Sequence, residues 1–237
     1  MLLRASRISA KKQKELLKLF SLDVEAKKAA ELVKVSRNTA YFYYTNFREL
    51  IFKHLSRAPR FSGEVEIDEA SIGGYTPKKR PGADPENYAP HVGNKIIKKY
   101  KKPPKILLMG IQRRNGDLYV QVVADRSRET LVPVIHLVVE EGTTIYTDGW
   151  SSYNKLELSG YKHFKINHDK KYANRKGEHV ATIDSFWREC LPKISRYRGG
   201  FRHNFPLHLK EQEFRWNYRR EKMGILPTMK KLLQDSD

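Results

Sequence analysis

Three aspartates have the type and placement needed to hold a pair of divalent cations. Asp148 closes a short β-like run, 143–147, inside Tyr146-Thr147-Asp148-Gly149-Trp150, and the glycine that follows ends the run. Asp68 closes another β-like run, 64–67, and Asp184 lies inside an amphipathic helical pattern, Ile183-Asp184-Ser185-Phe186-Trp187. Two carboxylates at strand ends and one on a later helix can converge on two cations roughly 3.5–4 Å apart. Such a pair makes a nucleophilic oxygen at neutral pH and stabilises the leaving oxygen of a phosphodiester. Mg2+ asks for hard oxygen ligands of this kind. Each aspartate alone reads as an ordinary turn or surface residue, so the chemistry rests on the set. In the run Glu64-Val65-Glu66-Ile67-Asp68-Glu69, period-two alternation turns Val65 and Ile67 to the core. Glu66 and Asp68 share the other face, and alternation does not choose between them as ligand; a lone acidic strand face is usually solvated.

Other chemistries lack their residues. Cys190 is the only cysteine, which excludes a disulfide and a cysteine-based zinc ribbon. It falls on the apolar side of a helical pattern, as a small core residue. No G-x-S-x-G or Walker motif is present. His168 and His179 flank the loop before Asp184, but their spacing fits no zinc pattern, and a structural or backbone-contacting role suits them better.

The charge balance names the partner class. Over 237 residues, 46 Lys plus Arg oppose 27 Asp plus Glu, a formal net charge of +19. Such an excess matches a polyanion, and neutralising phosphates is what it does best. An anionic membrane is the rival, but no apolar run of about 20 residues supports it. The first ten residues hold two leucines, then Arg4 and Arg7, with no apolar h-region behind them. A reducing compartment with access to DNA is expected.

Two units must position these groups. The first, 1–57, is all helical. A helix covers 11–20, Asp23 is expected to cap a second helix, and Lys34-Val35-Ser36 is a tight break before a third helix from Arg37 to about His54. Two short helices, a three-residue turn and a longer helix read as helix-turn-helix, with Arg37, Asn38 and Tyr41 as candidate base contacts. The competing reading is a small dimerisation bundle. A break around Pro59 and Gly63 leads to the second unit, 58–237. After the acidic strand comes a long basic loop at about 75–105, carrying Lys78, Lys79, Arg80, Lys98 and Lys99, which is expected to order on a phosphate backbone. Runs 106–111 and 118–124 form a hairpin around Asn115-Gly116. A helix then covers 128–139 despite Pro133, and the strand ending at Asp148 follows. Residues 161–167 look extended. A helix over 180–191 is ended or kinked by Pro192, a basic loop presents Arg196 and Arg198, and 206–220 makes a last long helix with a peripheral tail after Pro227. The element order implies an α/β fold with a mixed sheet, three antiparallel strands and then parallel ones, flanked by helices.

The chain resembles DDE transposases of bacterial insertion sequences, in the ISXO-type branch to which the eukaryotic Merlin elements are related. The resemblance is carried by several stretches together. They are Lys11-Lys12-Gln13, Ser36-Arg37-Asn38-Thr39-Ala40, 63–69 with Gly73-Gly74, Tyr146-Thr147-Asp148, 163–168, 183–187 and Glu213-Phe214-Arg215-Trp216-Asn217-Tyr218. It implies an RNase H-like catalytic domain, chemistry with two Mg2+ ions for which Mn2+ substitutes, and metal-dependent strand cleavage and transesterification. It implies a homodimer on double-stranded DNA, engaging terminal inverted repeats and target DNA, with no membrane partner. The compartment implied is the bacterial cytoplasm and nucleoid, or the nucleus for a eukaryotic element. It selects Asp68 over Glu66 and gives Asp68, Asp148 and Asp184 as the catalytic, metal-holding set. The third position departs from the family pattern. Relatives commonly carry Glu where Asp184 stands, with Asn and Lys at the positions held here by Ala181 and Leu191. The alternative is therefore a catalytically decayed copy that acts only as a sequence-specific DNA-binding protein.

Overall fold

Alternation along Val65, Ile67 and their neighbours produces β1 (Glu64–Ile72), the strand around which the sheet is assembled. The computed structural model describes residues 8–73, 91–92, 95–96, 105–114, 116–148, 160–166, 181–195 and 201–235, with the side chains of 91, 92, 95, 96, 148, 181 and 201–203 outside that description. A separate ribbon joins β2 (His91–Val92) to β3 (Lys95–Ile96). In the main sheet, β4 (Ile106–Arg113) lies antiparallel to β1, and β5 (Leu118–Val123) lies antiparallel to β4. On the other flank β6 (Thr144–Asp148) runs parallel to β1, and β7 (Lys162–Ile166) parallel to β6. The order β5-β4-β1-β6-β7 is the expected RNase H-like mixed sheet, three antiparallel strands followed by parallel ones.

Both faces of this sheet are covered. Val65, Ile67, Met109, Ile111 and Ile145 pack beneath α4 (Arg128–Val138), which contributes Leu131, Ile135 and Val138. The opposite face carries Ala70, Leu108, Val120 and Tyr146 and is covered by α5 (Ala181–Ser195) and α6 (Phe201–Asn217) through Ile183, Phe186, Trp187 and Trp216. The acidic side of β1 is thus not a solvated face: Glu66 is fully buried. The expected solvation fails because two helices from the far end of the chain lie over it.

A third core joins α1 (Ala10–Ser21), α2 (Ala26–Val33) and α3 (Arg37–His54). Phe20 anchors it, with ring centroids 5.1 Å from Tyr44 and 5.3 Å from Phe47. Full burial of one such ring contributes about 1.5–3 kcal/mol. Phe214 of α6 and Met229 of α7 (Leu226–Asp235) complete this core. Among the described residues no helix is long and apolar enough to cross a membrane.

Several local expectations are corrected. Asp23 does not cap α2. It sits in the left-handed region (φ 61°), Glu25 takes the cap position, and the Asp23 carboxylate pairs with Lys193 at 3.2 Å. Pro192 does not end α5, which continues to Ser195. The missing N–H frees only the carbonyl of exposed Arg188 to solvent, and the turn is held in by buried Ile194. α6 begins at Phe201, ahead of Pro206, and the tail after Pro227 is part of α7 rather than peripheral, because Met229 is fully buried.

Candidate active site

Strand register brings the first two aspartates together. Ile67 of β1 pairs in parallel with Thr147 of β6, and Asp68 and Asp148 are the next residues of their strands. Asp148 pairs onward with Ile166 of β7, and the Thr147 hydroxyl lies 2.9 Å from His163 Nε2. Asp68 is half-buried and faces Gly110 of β4 across the antiparallel ladder.

Gly110 explains how a helix can come so close to that point. A Cβ built there would lie 2.8 Å from Trp187 Cζ2 and 3.0 Å from Ile183 Cδ1, both on α5. A real Cβ does not tolerate such contacts, so glycine is what lets α5 settle onto the sheet beside Asp68. Asp184 follows Ile183 directly and is half-buried.

Glu66, the sequence's other candidate at this strand, is fully committed elsewhere. Its Oε2 accepts the backbone N–H groups of Thr182 and Ile183, each at 3.2 Å, and its Oε1 receives Arg114 Nε at 3.2 Å. Burial pushes its carboxyl up, while those N–H groups and the Arg114 guanidinium pull against that without cancelling it. Arg114 is locked in turn. Its guanidinium lies 3.8 Å from the centroid of the Tyr146 ring, it reaches Glu64 at 3.5 Å, and the Tyr146 hydroxyl donates to Glu64 at 3.0 Å.

The stretch 213–218 organises the far edge of the sheet. Glu213 Oε2 accepts the N–H of Val120 at 3.0 Å, and Asn217 both accepts from and donates to the backbone of Leu118, at 2.8 and 3.0 Å. Polar side chains of α6 thereby satisfy edge strand β5, as an additional strand would. Trp216 Nε1 donates to buried Gln112 at 2.8 Å. Sequence reasoning missed the roles of Glu66, Gly110, Gln112 and Glu213. A glycine inside a strand run was the one local signal among them.

In the helical unit, α2 ends on Lys34 in the left-handed region (φ 54°), and Ser36 accepts the N–H of Thr39 at 3.0 Å to start α3. Ala40, Tyr43, Tyr44 and Phe47 face inward, leaving Arg37, Asn38 and Tyr41 exposed on the first turns. Lys78, Lys79, Arg80, Lys98, Lys99, Arg196 and Arg198, together with His168 and His179, lie outside the described residues.

Asp68 does not close its strand as expected but lies within β1, which continues to Ile72. The side chain of Asp148 lies outside the described residues, and among the described residues no group of three or more His, Cys, Asp or Glu could hold a metal ion. Aspartate oxygens are the ligand type that a hard divalent cation such as Mg2+ asks for. Buried Cys190, whose thiol burial pushes up to about 12, suits no reactive role.

Comparison with known proteins gives the family. Residues 60–217 match the ISXO2-like transposase domain. An uncharacterized transposase-like protein of Haemophilus influenzae is 33% identical over 100 residues, covering 42% of this chain and 80% of the relative. Among solved structures, a chain of the simian T-cell lymphotropic virus intasome in complex with PP2A regulatory subunit B56 gamma is 14% identical. It covers 84% of this chain and 68% of that one, with a TM-score of 0.38. The Mos1 transposase paired-end complex with left transposon end is 15% identical over 94% of this chain and 80% of that one, with a TM-score of 0.30. These structural likenesses are distant, and the assignment rests on the match across 60–217 and on the bacterial relative: the chain belongs to the family of ISXO2-like transposase domains.

Proposed function

We propose that this protein is a DNA transposase of an insertion sequence, which binds the element ends, cleaves phosphodiester bonds and transfers strands in a metal-dependent reaction. The observation that carries the reading is the parallel register Ile67 to Thr147, after which Asp68 and Asp148 come next on adjacent strands, with α5 lying over the same face. Asp68 and Asp148 offer oxygens from the sheet, and Asp184 offers one from the helix. Held by these three, a pair of Mg2+ or Mn2+ ions would stabilise the charge that develops on the attacking and departing oxygens. The apolar wall of Ile183 and Trp187 limits water on the helix side. No side chain is required as general base, since the attacking oxygen belongs to water or to a DNA 3′-hydroxyl.

Residues 1–57 act as the end-reading unit and 58–237 as the catalytic unit. Arg37, Asn38 and Tyr41 at the start of α3 meet base edges in the major groove. The lysines and arginines of 78–80, 98–99, 196 and 198 neutralise the backbone. A homodimer on the paired ends completes the assembly. The second reading, a decayed copy that only binds DNA, draws its support from Asp184 standing where relatives commonly carry Glu. Purified protein, DNA carrying the element ends and Mg2+ or Mn2+ separate the two. Cleavage and joining that vanish in Asp148→Ala support the transposase. Tight end binding with no cleavage in either metal sinks it in favour of the binder.

A further inference from the structure

We propose that Glu66 is a positioning residue that fixes the reach of Asp184 by tethering the start of α5 to the central strand; this rests on the assignment of Asp184 proposed above. The first backbone N–H groups of a helix have no partner inside it. For α5, two of them, from Thr182 and Ile183, end on a single oxygen of Glu66 at 3.2 Å each. The acceptor comes from another element, two residues before Asp68 on the same face of β1, so one carboxylate ties the helix that carries Asp184 to the strand that carries Asp68. Its negative charge also suits the positive end of the helix. Arg114 holds the other oxygen and is itself clamped between Glu64 and the Tyr146 ring, so the tether does not swing. Gly110 supplies the room, since nothing larger fits between β4 and Trp187.

The tether matters more here than it would for a longer acid. Asp is one methylene shorter than Glu, roughly 1.5 Å of reach. A metal ligand tolerates errors of about 0.2 Å. A helix drawn hard against the sheet is what lets the shorter carboxylate serve. Glu66 thus acts through the helix backbone, not as a ligand.

The test uses the full chain with Glu66→Gln, Glu66→Ala and Glu66→Ala combined with Asp184→Glu. Amide hydrogen exchange without metal reads the tether itself. Glu66→Ala should raise exchange at Thr182 and Ile183 roughly tenfold, the worth of a lost charge-assisted bond, while Glu66→Gln keeps part of the protection through its carbonyl oxygen. Titration with Mn2+ reads the consequence. Affinity should fall roughly tenfold in Glu66→Ala and recover when residue 184 is lengthened by Asp184→Glu. Unchanged exchange at 182–183 overturns the tether. Exchange that rises while Asp184→Glu gives no recovery overturns the positioning role and leaves a purely structural one. If Glu66→Ala does not fold, Glu66→Gln with and without Asp184→Glu carries the same comparison. The assignment of Asp184 fails separately, through Mn2+ affinity unmoved by Asp184→Ala with Glu66 intact.

Discussion

Arg48 of α3 and Glu211 of α6 meet with Nε 2.6 Å from Oε2, both side chains almost fully buried. Glu211 also takes Arg215 at 2.7 Å, and Arg215 donates to the carbonyl of Phe20 at the end of α1, again at 2.7 Å. Lys193 of α5 closes the chain of contacts by pairing with Asp23 in the α1–α2 turn. The helix proposed to read DNA and the helix carrying Asp184 are therefore linked by a chain of ionic contacts, buried at Arg48 and Glu211 and partly exposed at Asp23 and Lys193. Burial opposes the charge on Glu211, but the guanidiniums of Arg215 and Arg48 outweigh it and hold the carboxyl below the usual range.

Removing one member of this network strands the others. Arg48→Ala leaves half of the Glu211 charge uncompensated and removes a cation lying over Phe20 and Tyr44. The expected loss is about 3 kcal/mol, as for other broken buried pairs. Urea melts followed by circular dichroism measure it. A change below about 1 kcal/mol, the scale of an exposed pair, would show the network to be energetically idle.

His208 makes the same region sensitive to acid. Its ring is largely buried and close to Arg48, which together lower its pKa to about 4, against a small opposing pull from Glu211. The folded state thus binds fewer protons than the unfolded one between that value and the ordinary histidine range. Stability is complete above pH ~6.5 and declines as pH falls towards 4. Because the ring keeps some exposure, the decline attributable to it is on the order of 1–2 kcal/mol. Melts between pH 7.5 and 4.5 should show His208→Gln losing less stability over that window than the parent; equal losses would reject the assignment.

The sheet was legible in the sequence because its signals are local: alternation in β1, two β-like runs on either side of a turn, and an aspartate at the end of a third. What escaped had partners far away. Glu66 looks like a solvated surface acid until Thr182 and Ile183 arrive to use it, and nothing near residue 66 announces them. The signature Glu213-Phe214-Arg215-Trp216-Asn217 was recognisable as a pattern but not as a device. Its alternate residues serve three masters: the β5 edge, the helical core and the Glu211 network. For α7 the signal was present, since Leu226, Met229 and Leu233 fall at helical spacing, but a short segment at the chain's end gave no hint of the core it fills.

Gly110 tests how tightly α5 must sit. In Gly110→Ala the new methyl meets Trp187 and Ile183 inside contact distance. Overpacking of this kind costs about 1–3 kcal/mol. If α5 carries the proposed ligand Asp184, displacing it by about 1 Å should lower cleavage on the order of a hundredfold. Trp187 fluorescence should shift in the variant, and Gly110→Ala combined with Trp187→Leu should regain cleavage. A Gly110→Ala protein with parental fluorescence and parental cleavage would mean the helix has slack.

Asp184 decides between an enzyme and a remnant. Its side chain is half-buried at the edge of the apolar stripe, so replacing it removes little packing, and altered activity can be read as chemistry. Asp184→Ala and Asp184→Asn should both abolish cleavage, the second while conserving volume and removing only the charge that a divalent ion needs. Asp184→Glu adds roughly 1.5 Å of reach to a flexible chain that can fold back, so cleavage should persist within about tenfold of the parent, or exceed it. Single-turnover cleavage of end DNA in Mg2+ and in Mn2+ measures all three, with end binding as the control for folding. Parental rates in Asp184→Ala would remove this residue from the site and leave Asp68 and Asp148 without a partner on α5.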